Sequence, residues 1–145
     1  MTAVGDPPRP PTPGEGEDAA REERLIEAAA RYRENAVSRR SGFSVGAAIE
    51  DENGKIWGGC NVENSTYGLT VCAERVAIWK ALSEGVRKFR AVAVVTGADE
   101  PTPPCGACRQ ILWEFAGDVP IIMASPNGKK KRFQLRELFP EPFDF

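Results

Sequence analysis

The stretch RAVAVVTGADEPTPPCGACRQILWEFAGDVPIIMA, residues 90–124, carries the decisive pattern of this chain. Its first seven residues, Arg90 to Thr96, are a short apolar run of the kind that forms a strand buried on both faces. A helix is expected from Gly106 to Phe115, opened by Pro104, and a second apolar strand from Pro120 to Ala124. Strand, helix and strand in that order predict a crossover between parallel strands. Two cysteines, Cys105 and Cys108, fall where the crossover helix begins.

Working outward, the upstream chain supplies two more strands and two more helices. Leu25, Ala29, Tyr32 and Ala36 recur at helical spacing between Arg21 and Val37, which predicts an amphipathic helix packed on a sheet. Phe43–Ile49 and Lys55–Cys60 are expected to pair antiparallel around Asp51-Glu52-Asn53-Gly54, whose Asn-Gly pair favours positive φ. Residues Cys72 to Glu84 read as a helix, with Thr70 as N-cap and Gly85 as stop. Downstream, Pro126-Asn127-Gly128 is a turn, and Phe133 to Phe139 a short strand and helix. The basic run Lys129 to Arg132 is read as a solvated hairpin tip rather than a phosphate patch. The elements together predict an α/β layered domain with a mixed sheet.

At 145 residues, with 41% hydrophobic and 28% charged residues, the chain fits one ordinary globular domain. A net charge of −2 provides no long-range pull on polyanions, so nucleic acid is not an expected partner. No run of about 18 apolar residues and no signal peptide is visible, which leads to the expectation of a cytoplasmic protein without a membrane partner. The first 20 residues are dense in Pro, Gly and acidic residues and are expected to form a disordered tail, leaving 21–145 as the single domain. Pro7-Pro8-Arg9-Pro10-Pro11 could serve as a polyproline II ligand, but a solvated tail is the preferred reading.

Cys72-Ala73-Glu74 joins Pro104-Cys105-Gly106-Ala107-Cys108 to give the spacing C-x-E…P-C-x-x-C. The chain has no histidine, so a metal held here must be held by thiolates. Three cysteines around Zn²⁺ with the fourth position open to water describe a hydrolytic centre, and Glu74 is left free to transfer protons. Three thiolates leave the site one unit negative, and Arg75 or Arg109 is placed to compensate. Arg75 is preferred because it shares a helical turn with Cys72 and Glu74. Two alternatives stay open: a structural Cys₄ site that adds Cys60, and a redox C-x-x-C.

Three motifs in order, Gly59-Cys60-Asn61-Val62-Glu63-Asn64, Cys72-Ala73-Glu74-Arg75 and Pro104-Cys105-Gly106-Ala107-Cys108-Arg109-Gln110, resemble those of the homotetrameric, Cys₃-zinc cytidine deaminases. The resemblance runs from about Ser41 to Phe143. It implies a three-layer α/β/α sandwich around a five-stranded mixed sheet, and hydrolysis of cytidine and 2′-deoxycytidine to the uracil nucleosides and ammonia in pyrimidine salvage. By matching position, Cys72, Cys105 and Cys108 would hold one zinc per chain and Glu74 would shuttle protons. Asn61 and Glu63 would meet the ribose 3′-hydroxyl, and the Ala73 N–H the pyrimidine O2. Phe43 would pack on the nucleoside, and Phe143 would enter a neighbouring subunit's site in a homotetramer.

Asn61 and Glu63, two residues apart on an extended strand, face the same side and could together donate to and accept from one hydroxyl, with a polar edge pair facing water as the alternative; for Phe43 the alternative is a core residue, and Phe143 without the resemblance reads as an exposed or plugging aromatic. One departure is plain: the family's Tyr-x-Pro-Tyr-Ser stretch is replaced by Val37-Ser38-Arg39-Arg40-Ser41-Gly42-Phe43, so the pocket entrance is expected to differ. Deamination of a modified cytosine nucleoside such as blasticidin S is the competing enzymatic reading. A structural-zinc interaction module is the competing reading from another class.

Overall fold

The computed structural model describes residues 15–144. Five strands form one sheet in the order β2-β1-β3-β4-β5. They are β1 (Val45–Asp51), β2 (Ile56–Cys60), β3 (Phe89–Thr96), β4 (Pro120–Ala124) and β5 (Lys130–Gln134). Strand β1 runs antiparallel to both β2 and β3, β3 pairs parallel with β4, and β4 pairs antiparallel with β5. Helix α1 (Glu15–Arg33) covers one face, while α2 (Ala73–Ser83), α3 (Gly106–Ala116) and the short α4 (Leu135–Leu138) cover the other. The expected α/β/α sandwich with a five-stranded mixed sheet is therefore the observed fold.

Each helix lies where strand alternation puts small residues. On β1, Gly46 and Ala48 face α1, and Ala47 and Ile49 face α2; successive side chains on a strand point to opposite faces. Leu25, Ala28 and Ala29 of α1 are buried against Ala48, Ala93, Val95 and Ile122. A Cβ on Gly46 would fall 1.9 Å from the Ala29 carbonyl oxygen, and one on Gly58 would strike the Tyr32 ring at 2.0 Å. On the opposite face, a Cβ on Gly59 would lie 2.6 Å from both the Ala73 carbonyl oxygen and the Ala77 nitrogen. Glycine is what lets the backbone of α2 rest on the sheet.

The β1–β2 turn closes through a side chain. Asp51 accepts hydrogen bonds from the Asn53 N–H (2.8 Å), the Lys55 N–H (3.0 Å) and the Trp57 indole (3.0 Å). Burial alone would raise its pKa, but these donors, the indole first among them, outweigh it and hold the carboxyl below the usual range. Gly54 takes φ 83°, whereas Asn53 stays at negative φ, so the carboxylate of Asp51 does the work expected of the Asn-Gly pair.

Several expected boundaries move. Helix α1 starts by Glu15, inside the segment expected as tail, and residues 1–14 lie outside the described residues. It ends at Arg33, short of Val37, which instead forms a single parallel bridge to Val62. The N-cap of α2 is Cys72 and not Thr70. Thr70 sits two residues earlier, where its N–H closes the 3₁₀ turn Tyr67–Leu69. Lys130 to Arg132 belong to β5, an edge strand, where a row of long cations keeps further strands from pairing. The segment is part of the sheet and not a hairpin tip.

Replacing Gly59 by Ala is expected to cost about 1–3 kcal/mol in denaturant unfolding, because α2 must lift off β2. The same change should lower zinc content, since α2 carries Cys72; unchanged zinc and unchanged stability would contradict the packing described. Asp51→Ala is expected to lose about 1–3 kcal/mol at neutral pH. Because the folded pKa of Asp51 is depressed, its contribution is present above the ordinary carboxyl value and disappears as pH falls through the folded one. The wild-type and Asp51→Ala unfolding curves should thus converge in acid.

Candidate metal centre and substrate cavity

Two helix N-termini meet at one place. Cys72 is the N-cap of α2 and Cys105 the N-cap of α3, both with extended φ/ψ and neither spending its side chain on a capping bond. Cys108 follows in the first turn of α3 and is fully buried. Each terminus leaves its first N–H groups without helical partners and adds the positive end of its dipole. Both effects favour thiolate over thiol.

The three sulfur atoms lie within 4.8 Å of one another. Cys72 Sγ is 3.8 Å from Cys105 Sγ, and Cys105 Sγ is 3.4 Å from Cys108 Sγ. Zinc–thiolate bonds of about 2.3 Å arranged tetrahedrally would set sulfurs roughly 3.8 Å apart, so the donor set fits the metal. All four cysteines are free, and Cys60, half-buried on β2, is not part of the cluster. The Cys₄ arrangement is not the one the fold builds.

Hydrogen bonding from the Cys108 thiol, then from Arg75, pulls the Cys72 pKa down to about 5 against the opposing effect of burial. The Cys108 thiol, donating to Cys72 and buried beside Glu74, is pushed up. Arg75 Nη2 donates to Cys72 Sγ at 3.2 Å, and its own pKa rises in response. Arg109 is turned elsewhere: its Nε donates to the Pro104 carbonyl at 2.7 Å and its Nη1 to the Leu138 carbonyl. Of the two arginines considered, only Arg75 is hydrogen-bonded to a sulfur. Glu74, buried in the first turn of α2, has its pKa raised chiefly by desolvation. A carboxyl held up in this way keeps a proton at higher pH than an exposed one.

Beside the sulfurs opens a cavity of ≈ 390 Å³ whose lining includes Cys72, Ala73, Glu74 and Cys105 together with Asn61 and Glu63. It sits at the carboxyl end of β3, the strand that enters the parallel crossover, where open α/β sheets place their ligand sites. Asn61 and Glu63 lie just beyond β2, joined by Val62, which bridges to Val71 and Val37. The Asn61 amide donates to the Phe43 carbonyl at 2.8 Å and accepts from the Val45 N–H at 2.9 Å. Glu63 accepts from Ser41 Oγ at 2.8 Å. Phe43 lies in the loop before β1 and is 40% exposed, so it is cavity wall and not core. Phe143 does not line this cavity. It is 71% exposed beside Trp113 on α3, its carbonyl accepting from Gln110 Nε2 at 3.0 Å.

Sequence reasoning missed Ser41, Thr96, Thr102 and Pro103, all of which line the cavity. Thr96 ends β3 and Thr102 precedes the Pro104 motif, so the rule that ligands sit beyond strand carboxyl ends could have found both. Nothing in the residues around Ser41 announced its bond to Glu63.

The sequence matches the family described as "Cytidine and deoxycytidylate deaminase zinc-binding region" over residues 19–124. The chain belongs to that family. It is a zinc-dependent hydrolytic deaminase, with Cys72, Cys105 and Cys108 as the cluster able to hold the ion. A cytidine deaminase of Sporosarcina psychrophila is 45% identical over 122 residues, covering 83% of this chain and 90% of the relative. A crystal structure of cytidine deaminase from Burkholderia pseudomallei superposes with a TM-score of 0.81 at 42% identity, covering 83% of this chain and 98% of that one. A blasticidin-S deaminase of Bacillus cereus is 34% identical over 104 residues, covering 66% and 74%. The chain thus stands nearer to these two cytidine deaminases than to that enzyme.

For this zinc-binding deaminase, Cys72→Ser is expected to lose the metal while Cys60→Ser keeps one zinc per chain, as read by metal analysis of purified protein. Arg75→Gln should raise the pH at which Cys72 of the metal-free protein is alkylated. The same variant should weaken zinc affinity by about 10–100-fold in chelator competition.

Proposed function

We propose that the chain hydrolyses free cytidine and 2′-deoxycytidine to uridine and 2′-deoxyuridine with release of ammonia, in pyrimidine salvage. One observation carries this reading: a buried carboxylate, two members of the three-cysteine cluster, and an amide and a carboxylate fixed by hydrogen bonds all line one nucleoside-sized cavity. A zinc ion held by Cys72, Cys105 and Cys108 would supply Lewis acidity that activates water. The remaining steps fall to side chains and backbone.

Glu74 takes one proton from the attacking water and places it on pyrimidine N3, then takes the second from the hydroxyl newly bonded to C4 and delivers it to the amine as the C4–N bond breaks and C4=O forms, so one carboxylate moves both protons of the water. Its burial suits the task, because a raised pKa brings the group toward neutral pH. The Ala73 N–H, in the first turn of α2, lacks a helical acceptor and would donate to O2 of the base. Asn61 uses one amide hydrogen on Phe43 and keeps the other for the ribose 3′-hydroxyl. Ser41 occupies part of the Glu63 carboxylate, which has about four acceptor sites and can take the same hydroxyl as well. Asn61 also holds Phe43 in the cavity wall, where the ring would pack on the nucleoside.

The active assembly in this reading is a cytoplasmic homotetramer in which Phe143 reaches a neighbouring subunit's cavity. Its support is the family's trans aromatic at this position together with the exposure of Phe143. Phe143→Ala is then expected to raise KM for cytidine and to leave zinc content unchanged. Light scattering should report four chains, and a monomer with full activity would remove the trans contact.

Glu74→Gln should lower turnover of cytidine by about 10²–10⁴-fold or more while folding and zinc are retained. The direct test is an ultraviolet assay with cytidine, 2′-deoxycytidine, cytosine and a cytosine-containing oligonucleotide. Turnover of the two nucleosides is expected, and turnover of the oligonucleotide alone would overturn the proposal.

A further inference from the structure

The loop between β3 and α3 supplies part of the cavity wall, with Thr102, Pro103 and Pro104 among the lining residues. Among the described residues, 98–104 make no backbone–backbone hydrogen bond, and Pro101, Pro103 and Pro104 have no N–H to offer. Proline fixes φ within such a segment but not where the segment lies, so side chains set the position of this loop. At its metal end the loop is tied by its own helix, Arg109 Nε of α3 donating to the Pro104 carbonyl at 2.7 Å. On the inner side, Thr102 Oγ1 lies 3.1 Å from Thr96 Oγ1 at the end of β3. The β4–β5 turn holds the outer side: Asn127 Nδ2 donates to the Asp99 carbonyl at 2.9 Å, and Lys129 Nζ meets Glu100 Oε1 at 2.5 Å. The Asn127 amide is itself oriented, because its Oδ1 accepts the Lys129 N–H at 3.0 Å. Lys129 and Glu100 are both more than half exposed, so their attraction is screened and contributes little. The Asn127 bond reaches main chain and bears directly on the path of the loop.

We infer that Asn127 is a positioning residue for the substrate cavity: by holding the Asp99 carbonyl it fixes the loop that carries Thr102 and Pro103 into the wall. Asn127 does not itself line the cavity. Between Asp99 and Thr102 lie only Glu100 and Pro101, and the fixed φ of the proline passes a displacement at Asp99 on to Thr102 instead of absorbing it. Because Arg109 anchors Pro104 separately, the effect falls on the wall and leaves Cys105 and its metal in place. A wall that meets the substrate equally well before and during reaction acts on KM and not on kcat. The substrate in this inference is the cytidine proposed above.

The test is steady-state kinetics with cytidine on the wild-type holoenzyme, Asn127→Ala and Asn127→Asp. Aspartate keeps an acceptor for the Lys129 N–H, and with it the turn, but has no hydrogen for the Asp99 carbonyl. Both variants are expected to raise KM about three- to tenfold, to hold kcat within about twofold and to keep their zinc. In both, the methyl resonance of Thr102 should move or broaden while that of Thr66, in a separate loop, stays as in the wild type. If Asn127→Asp behaves as wild type and only Asn127→Ala is impaired, Asn127 serves the turn alone and the inference is overturned. It is overturned equally if both variants keep the wild-type KM, or if both lose kcat and zinc together. A wild-type holoenzyme that turns over no cytidine would be a failure of the substrate reading by itself; the Thr102 resonance, recorded without substrate, would still decide whether Asn127 holds the loop.

Discussion

The backbone of α2 rests directly on β2 at Gly59, with no room for a side chain between them. That approach sets how far the first turn of α2 stands from the sheet, and with it the positions of Cys72, Ala73 and Glu74. The crossover helix α3 then starts at the carboxyl side of β3 and brings Cys105 and Cys108 to the same point. A strand with a bulkier residue at 59 would hold α2 away and separate the sulfurs. The metal cluster is thus a consequence of sheet packing as much as of cysteine placement.

Charge at that point is balanced locally. Three sulfurs, a buried carboxyl and one guanidinium share a small volume, and their ionisation is mutual: Cys72 is drawn toward thiolate by Cys108 and Arg75, and Glu74 is pushed toward the acid by burial. Two helix dipoles contribute fixed positive potential without adding a titratable group. A protein with no histidine can in this way hold a metal and still keep a proton carrier beside it.

The far rim of the cavity is built differently. Ser41, Glu63, Arg40 and Tyr67 come from two loops that touch through side chains, and Asn61 ties Phe43 and Val45 to the end of β2.

Element order, the layered α/β class and the three zinc-ligating candidates were legible in the chain because strand runs, helical spacing and C-x-E…P-C-x-x-C are local patterns. Even so, local signals misplaced the start of α1, the cap of α2 and the basic run of β5. The cap of α2 and the edge strand are settled by tertiary neighbours: the Thr70 turn for α2, and pairing with β4 for β5. The residues by themselves determined which chemistry is available, a thiolate metal site with a carboxylate beside it. Tertiary structure alone decided that Cys60 stays out and that Ser41 meets Glu63. Those choices depend on distances between segments far apart in the chain, and no local pattern records them.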